Sequence, residues 1–371
     1  MSKLLVNGPV NVVRLEGKIG SVPKVIYLFM DRHDPLIHET ECSDIFARDV
    51  NTYFIDTFKE IKDSNLTYDF FMEIYGDLAK DVQSNAFFQL RSRYIDDMTR
   101  LFAQLFRIDR KSNKIKINEI FENVRLHYLD VRDHLQVTRR DEFLLDNVLG
   151  KINPRDLKLG DLKLVSSELK RIGKDLKQLL DLFDKPVSGG KNVFDDNIAY
   201  QLDPKIISYF VRKMKDQYHH QDVKKILNDE LIGILSLGRD NVTYIDKLIT
   251  KYDSLVKKRE LLPSHELFDD AYPIIDEGLV VFYGRLTDIF MLRRFLDKDY
   301  ITNAITYSGI DHSGYYVNAL VNRFGFKITH IANKTRSVTE IEKDVKSGDF
   351  NNIFWTEGQC SDLTSFPKHF L

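Results

Sequence analysis

Val25-Ile-Tyr-Leu-Phe-Met30-Asp31-Arg32-His33-Asp34 and Ala304-Ile-Thr-Tyr307-Ser308-Gly309-Ile310-Asp311-His312-Ser313-Gly314 share one plan: an apolar run passes into a polar turn that carries a histidine. Apolar runs of this length bounded by turn residues read as buried strands. In an open α/β sheet, side chains just beyond the carboxyl ends of parallel strands gather in one crevice, so segments distant in sequence can build a single polar site. The expectation is that these two turns meet.

Outward from them, residues 12–16, 24–30, 67–75 and 124–131 read as strands, while 44–62 and 85–108 repeat apolar residues at helical spacing. Ser43 or Asp44 is the natural N-cap of the first helix. Strands alternating with helices imply right-handed crossovers and a parallel sheet. From 133 to 297 the pattern changes to long, densely charged helices, at 157–184, 204–228 and 241–260, with a break at Lys185-Pro-Val-Ser-Gly-Gly-Lys-Asn192. Strand-like 301–308, helical 315–324, strand-like 326–331, helical 337–346 and strand-like 350–355 then restore the alternation. The predicted fold class is α/β, with a central mostly parallel sheet flanked by helices. Residues 1–132 form its first half, 133–297 a large helical insertion or cap, and 298–371 its second half.

The chain has 371 residues, 43% hydrophobic and 30% charged, enough to bury a substantial core. Lys and Arg total 54 against 56 Asp and Glu, a net charge of -2 that creates no field to draw nucleic acid. No apolar run approaches the roughly 20 residues that cross a bilayer, and no signal-peptide pattern opens the chain, so an intracellular, cytoplasmic protein is expected. The helical region is the natural place for a protein partner or a second copy. Cys42 and Cys360 are the two cysteines. Each flanks the expected sheet, so they can bridge, but two separate thiols are the preferred expectation.

The segment Ile305-Thr-Tyr-Ser-Gly309-Ile-Asp-His312-Ser-Gly314, followed by Ala319-Leu-Val-Asn-Arg-Phe-Gly325-Phe-Lys-Ile328, resembles the closing signature of the TraB/GumN/Tiki proteins, relatives of the ChaN-like and erythromycin-esterase-like groups. That signature is a strand, Gly-x-x-His, a short turn containing glycine, a helix, then Gly-aromatic-x-Val. The opening segment resembles the family's first strand, with Asp31 and His33 in place and Met30 where the family has glycine. Asp69-Phe-Phe-Met-Glu73 resembles its Glu-bearing second strand, and Gly284-Arg285-Leu-Thr-Asp288 its Arg-bearing helix. The resemblance implies a metal-dependent hydrolase acting on peptide, ester or amide bonds in a peptide or small-molecule substrate. A fainter likeness is to uncharacterised proteins of large DNA viruses.

Chemistry groups the same residues. His33, Glu73 and His312 offer two imidazoles and a carboxylate, a donor set suited to zinc, manganese or cobalt. Asp31 or Asp311 would serve as a further ligand, as a general base or as acceptor for a ligating imidazole's other N–H. Arg285 would hold a substrate carbonyl and stabilise negative charge. Asp130, Arg132 and His127 lie on or just after the 124–131 strand and are further candidates. Each has a plainer alternative: His33 a turn, His312 a helix start, Glu73 an edge-strand acid, Arg285 a helix-pairing cation, and Asp130, Arg132 and His127 a salt-bridged strand end. A catalytically inactive binding protein of the same fold is the rival reading, motivated by Met30. The pair His219-His220 and the Ser188-Gly-Gly-Lys191 string lack the spacings of a chelate or a phosphate loop.

Overall fold

The computed structural model describes residues 3–33, 41–75, 94–109, 114–115, 120–135, 141–185, 204–334, 336–348 and 353–370. The chain divides into two compact units, Met1–Asp130 with Arg294–Leu371, and Val131–Arg293. The fold is α/β, with a large helical region between strands of one sheet.

In the first unit, strands β1 (Leu5–Asn7), β2 (Asn11–Ile19), β3 (Val22–Asp31), β4 (Arg48–Asp49), β5 (Tyr68–Tyr75), β6 (Ile108–Asp109), β7 (Lys114–Ile115), β8 (Val124–Asp130), β9 (Asn303–Gly309), β10 (Lys327–Ile331) and β11 (Cys360–Asp362) form three sheets. The main one has six strands in the order β10-β2-β3-β9-β5-β8. Strands β3, β9, β5 and β8 run parallel, whereas β2 is antiparallel to both its neighbours. The reason lies in the linker: Gly20 and Ser21 alone join β2 to β3, with Gly20 at φ +57°, so the chain makes a tight hairpin.

Both faces of this sheet are covered, as parallel strands require. One face presents Tyr27, Phe29, Phe70, Met72, Ile305 and Tyr307 to an aromatic cluster completed by Tyr53, Phe54 and Phe58 of helix Val50–Glu60, Phe102 of helix Tyr94–Leu105, and Phe370. The expected helix at 85–108 is thus present over Tyr94–Leu105, and 85–93 lie outside the described residues. Of the expected strand at 350–355, residues 350–352 also lie outside them, and Ile353 and Phe354 form a turn.

A small sheet in the order β11-β1-β4 stitches the chain's two ends together: β11 pairs antiparallel with β1, and β4 parallel. Here the expectation of separate thiols is corrected. Cys42 and Cys360 form a disulfide across 318 residues, because Asn7 pairs with Cys360 in the sheet and its side chain accepts the Cys42 N–H at 2.9 Å.

The second unit is helical. Helix Leu159–Asp184 buries Leu162, Val165, Leu169, Ile172, Leu176, Leu179 and Phe183, a stripe at spacings of three and four, and packs against helix Gln221–Lys258. The expected helices at 204–228 and 241–260 are instead Pro204–Lys215 and Gln221–Lys258. Gly233 and Gly238 lie inside the second of these helices without ending it. A Cβ on Gly238 would sit 2.6 Å from the Phe282 ring, so this glycine admits a close neighbour. Ser264–Pro273, a π-helical turn at Ile274–Val280 and Val281–Asp297 follow. No helix among the described residues is long and apolar enough to cross a membrane.

Candidate functional site at the carboxyl edge of the sheet

The two histidine turns quoted at the outset do lie side by side. Strand β3 pairs with β9 from Val25–Asn303 to Asp31–Gly309, so both strands end at the same level. Asp31 is wholly buried, and a buried carboxylate needs partners. Its Oδ1 accepts the His33 backbone N–H at 2.5 Å and lies 3.2 Å from His33 Nδ1, while its Oδ2 accepts the Tyr307 hydroxyl. A carboxylate bonding the N–H two residues on forms an Asx turn. This accounts for the backbone of His33, which sits at φ 59° in the left-handed region, a conformation that costs a residue with a Cβ roughly 1–2 kcal/mol.

Glu73 reaches the same place through a bulge. Met72 pairs with Tyr128 but Tyr75 pairs with Asp130, so β5 carries one extra residue against β8 at the Glu73-Ile74 step. Bulges bend a strand and re-aim side chains. Glu73 Oε2 accepts the backbone N–H of Gly309 at 2.6 Å, at the start of helix Ile310–Phe324, where aligned peptide dipoles favour an anion.

His312 lies in the first turn of that helix. Its Nε2 is 3.2 Å from Glu73 Oε1, and His33 Nε2 is 3.4 Å from Glu73 Oε2. A hydrogen bond of 2.9 Å between the Ser308 and Ser313 hydroxyls fastens the strand-to-helix turn. Gly309 makes the convergence possible: a Cβ there would lie 2.9 Å from His33 Nε2 and 3.3 Å from Glu73 Oε2. Met30, where the resemblance expects glycine, is wholly buried in β3 and paired with Ser308.

Burial opposes charge on His33, yet the Glu73 carboxylate, with Asp31 behind, outweighs it and holds the imidazole pKa up to about 10. Burial likewise opposes charge on Glu73, but His312 and His33 hold its carboxyl well below the usual range. Without another ligand the cluster is therefore an imidazolium–carboxylate assembly at neutral pH.

The donor types suit a transition metal, and Asp31 beside His33 Nδ1 is the outer partner a ligating imidazole needs. In placement, each imidazole addresses a different oxygen of Glu73, so the carboxylate stands between the rings and no three-donor shell surrounds one point in this arrangement.

The other candidates fall elsewhere. Asp311 is exposed in the first turn of helix Ile310–Phe324. Arg285 lies in the helical unit, with Nη1 2.8 Å from Asp288. Arg132 opens a short helix of that same unit, Arg132–Leu135. Asp130 is buried at the carboxyl end of β8. His127, two pairings before the bulge, gives its Nε2 to Asp69 at 2.7 Å, and Asp69 also takes two bonds from Arg125, at 2.9 and 2.6 Å. Sequence reasoning missed Tyr307. It stands two residues before Gly309, and in a strand that spacing shares a face, but only the pairing with β3 shows that this face holds Asp31.

Residues 4–272 and 265–371 match the model of a family of unknown function, DUF5847. Three proteins of Acanthamoeba polyphaga mimivirus are similar along their whole length. Uncharacterized protein R706 is 35% identical, covering 99% of this chain and 97% of that protein. Uncharacterized protein R160 is 32% identical over 99% and 97%, and Uncharacterized protein R161 is 31% identical over 98% and 98%. The likeness to proteins of a large DNA virus is thereby borne out. No solved structure matches the chain.

Proposed function

We propose a function for this chain, which belongs to the DUF5847 family: hydrolysis of a peptide, ester or amide bond, assisted by a divalent transition metal (zinc, manganese or cobalt) held by His33, Glu73 and His312. One observation carries the reading. Two imidazoles from turns at opposite ends of the sequence converge on a single buried carboxylate, at the carboxyl edge where α/β sheets bind ligands. The TraB/GumN/Tiki resemblance supports it from the sequence side, and it is there that Arg285 and Asp311 find their suggested roles.

An ion bound here would supply Lewis acidity to a water and to the scissile carbonyl. The chain's own groups do the rest. Asp31 fixes the turn by accepting the His33 backbone N–H and lies 3.2 Å from His33 Nδ1, and Tyr307 holds Asp31 by donating to it. Because His33 carries a proton up to about pH 10, metal uptake must displace it, so affinity should rise with pH.

A second reading has its own observation: Glu73 stands between the two rings, an arrangement suited to passing a proton without a metal. A metal-free hydrolase would use the His33 imidazolium as acid. Metal content of the purified protein and of the His33→Ala/His312→Ala variant, with turnover of a fluorogenic peptide and p-nitrophenyl acetate with and without chelator, separates the cases. About one ion per chain, lost in the variant together with turnover, is the expected result. Turnover that resists chelation but needs His33 establishes the relay. A protein with no metal, no turnover and unchanged stability in the variant is the inactive binding protein that Met30 allows.

A further inference from the structure

The strained His33 turn is held, through Arg32, by one short segment near the carboxyl terminus. Before the turn, the Arg32 guanidinium lies 5.6 Å over the Trp355 ring and donates to the Glu357 carbonyl at 3.3 Å. The same segment ends at Cys360, which the disulfide joins to Cys42. The segment is itself anchored to the turn between β1 and β2 and to the turn after β10. Thr356 donates to the Val10 carbonyl at 3.0 Å, Gly8 N–H to the Gln359 carbonyl at 3.0 Å, and Asn333 to the Cys360 carbonyl at 2.7 Å. A left-handed histidine persists only where its surroundings over-determine it. Of these restraints the disulfide alone is covalent and chemically reversible, and both its cysteines are only half-buried, within reach of a small reductant.

We propose that Cys42–Cys360 is a redox latch on the His33 turn: a dithiol opens it and loosens the turn, and an oxidant closes it. A thiolate of the dithiol attacks one sulfur, the S–S bond breaks, and the other cysteine leaves as a thiolate that takes a proton from water. The dithiol's second thiol then displaces the protein from the mixed disulfide. Two electrons and two protons pass to the protein, and the dithiol becomes a cyclic disulfide. That the open latch also silences hydrolysis rests on the function proposed above; the latch itself is read from the backbone.

The test uses the full chain before and after dithiothreitol, and again after reoxidation with diamide. Thiol titration should find no free thiol, then two. Amide exchange by mass spectrometry should accelerate at least tenfold in peptides spanning 28–33 and 355–360, stay unchanged in 124–130, and return on reoxidation. Emission from Trp355, the chain's single tryptophan, should shift to the red on reduction. Two free thiols in the native protein, unchanged exchange at 28–33, or equal loosening of 124–130 each overturns the latch. The Cys42→Ser/Cys360→Ser variant should behave as the reduced protein; should it fail to fold, the dithiothreitol series decides. Loosening of the turn with no metal lost in His33→Ala/His312→Ala keeps the latch and removes the metal. Metal loss there with an unresponsive turn does the reverse.

Discussion

The main sheet carries a histidine–carboxylate contact near each end, and the two behave oppositely. Toward the amino end, on regular paired strands, Asp69 is held by Arg125 and His127, and burial pushes the His127 imidazole pKa down. At the carboxyl end, Glu73 leaves a bulge to face two imidazoles, and His33 is pushed up to about 10. The residue types are nearly the same. The difference is that a guanidinium already balances Asp69, whereas Glu73 is balanced by groups whose charge is adjustable. A closed ion pair in a straight strand stabilises structure, while an adjustable one on a bulge beside a strained turn is equipped for chemistry.

The largest test of this contrast removes each carboxylate. Glu73→Ala should cost about 3–5 kcal/mol in urea unfolding at pH 6 with chelator present, the usual penalty for stranding a buried partner. Asp69→Ala should cost a similar amount, but its loss should stay flat between pH 7 and 10, because a guanidinium keeps its charge there. The Glu73 loss should shrink over the same range; equal pH profiles would erase the distinction.

The wild-type chain should show the same asymmetry. With its pKa raised, His33 contributes stability that is complete below its ordinary value of 6.5 and is lost as pH climbs toward about 10. Glu73, with its pKa lowered, contributes stability present above its ordinary 4.5 and lost on acidification. Melting temperature against pH, with chelator, should therefore be highest between those limits and decline on the alkaline side. The alkaline decline should vanish in His33→Gln and persist in His127→Gln.

Smaller effects probe the supports. Tyr307→Phe removes a hydrogen bond to a buried carboxylate and should cost about 1.5–3 kcal/mol, read from urea midpoints at constant slope. Finest of all, His33→Gly should be more stable than His33→Ala by roughly 1 kcal/mol, since glycine alone adopts the left-handed backbone freely. No difference between them would mean that the turn relaxes once the imidazole is gone.

Much of this was legible in the residues. The echo between the turns at His33 and His312 foretold that β3 and β9 would present them together, because two apolar strands ending in polar turns have few ways to be buried apart. The bulge at Glu73 was not legible: register is a property of two strands, and nothing in Met72-Glu73-Ile74 declares an extra residue. The β2–β3 hairpin rests on the two-residue Gly20-Ser21 link, a local signal that the search for strand–helix alternation does not weigh. The disulfide was undecidable from spacing, because only the pairing of Asn7 with Cys360 brings the two sulfurs together.

Strand β9 lies between β3 and β5, so the amino-terminal third of the chain cannot zip up its own sheet. As the polypeptide emerges from a ribosome, β3 and β5 must wait, their inner edges unpaired, until the whole helical region has been made and residues 303–309 arrive. Nascent chains halted before that point would expose two open edges and no assembled histidine pair, making them candidates for chaperone capture. The order of synthesis thereby ensures that no fragment acquires the site ahead of the finished molecule.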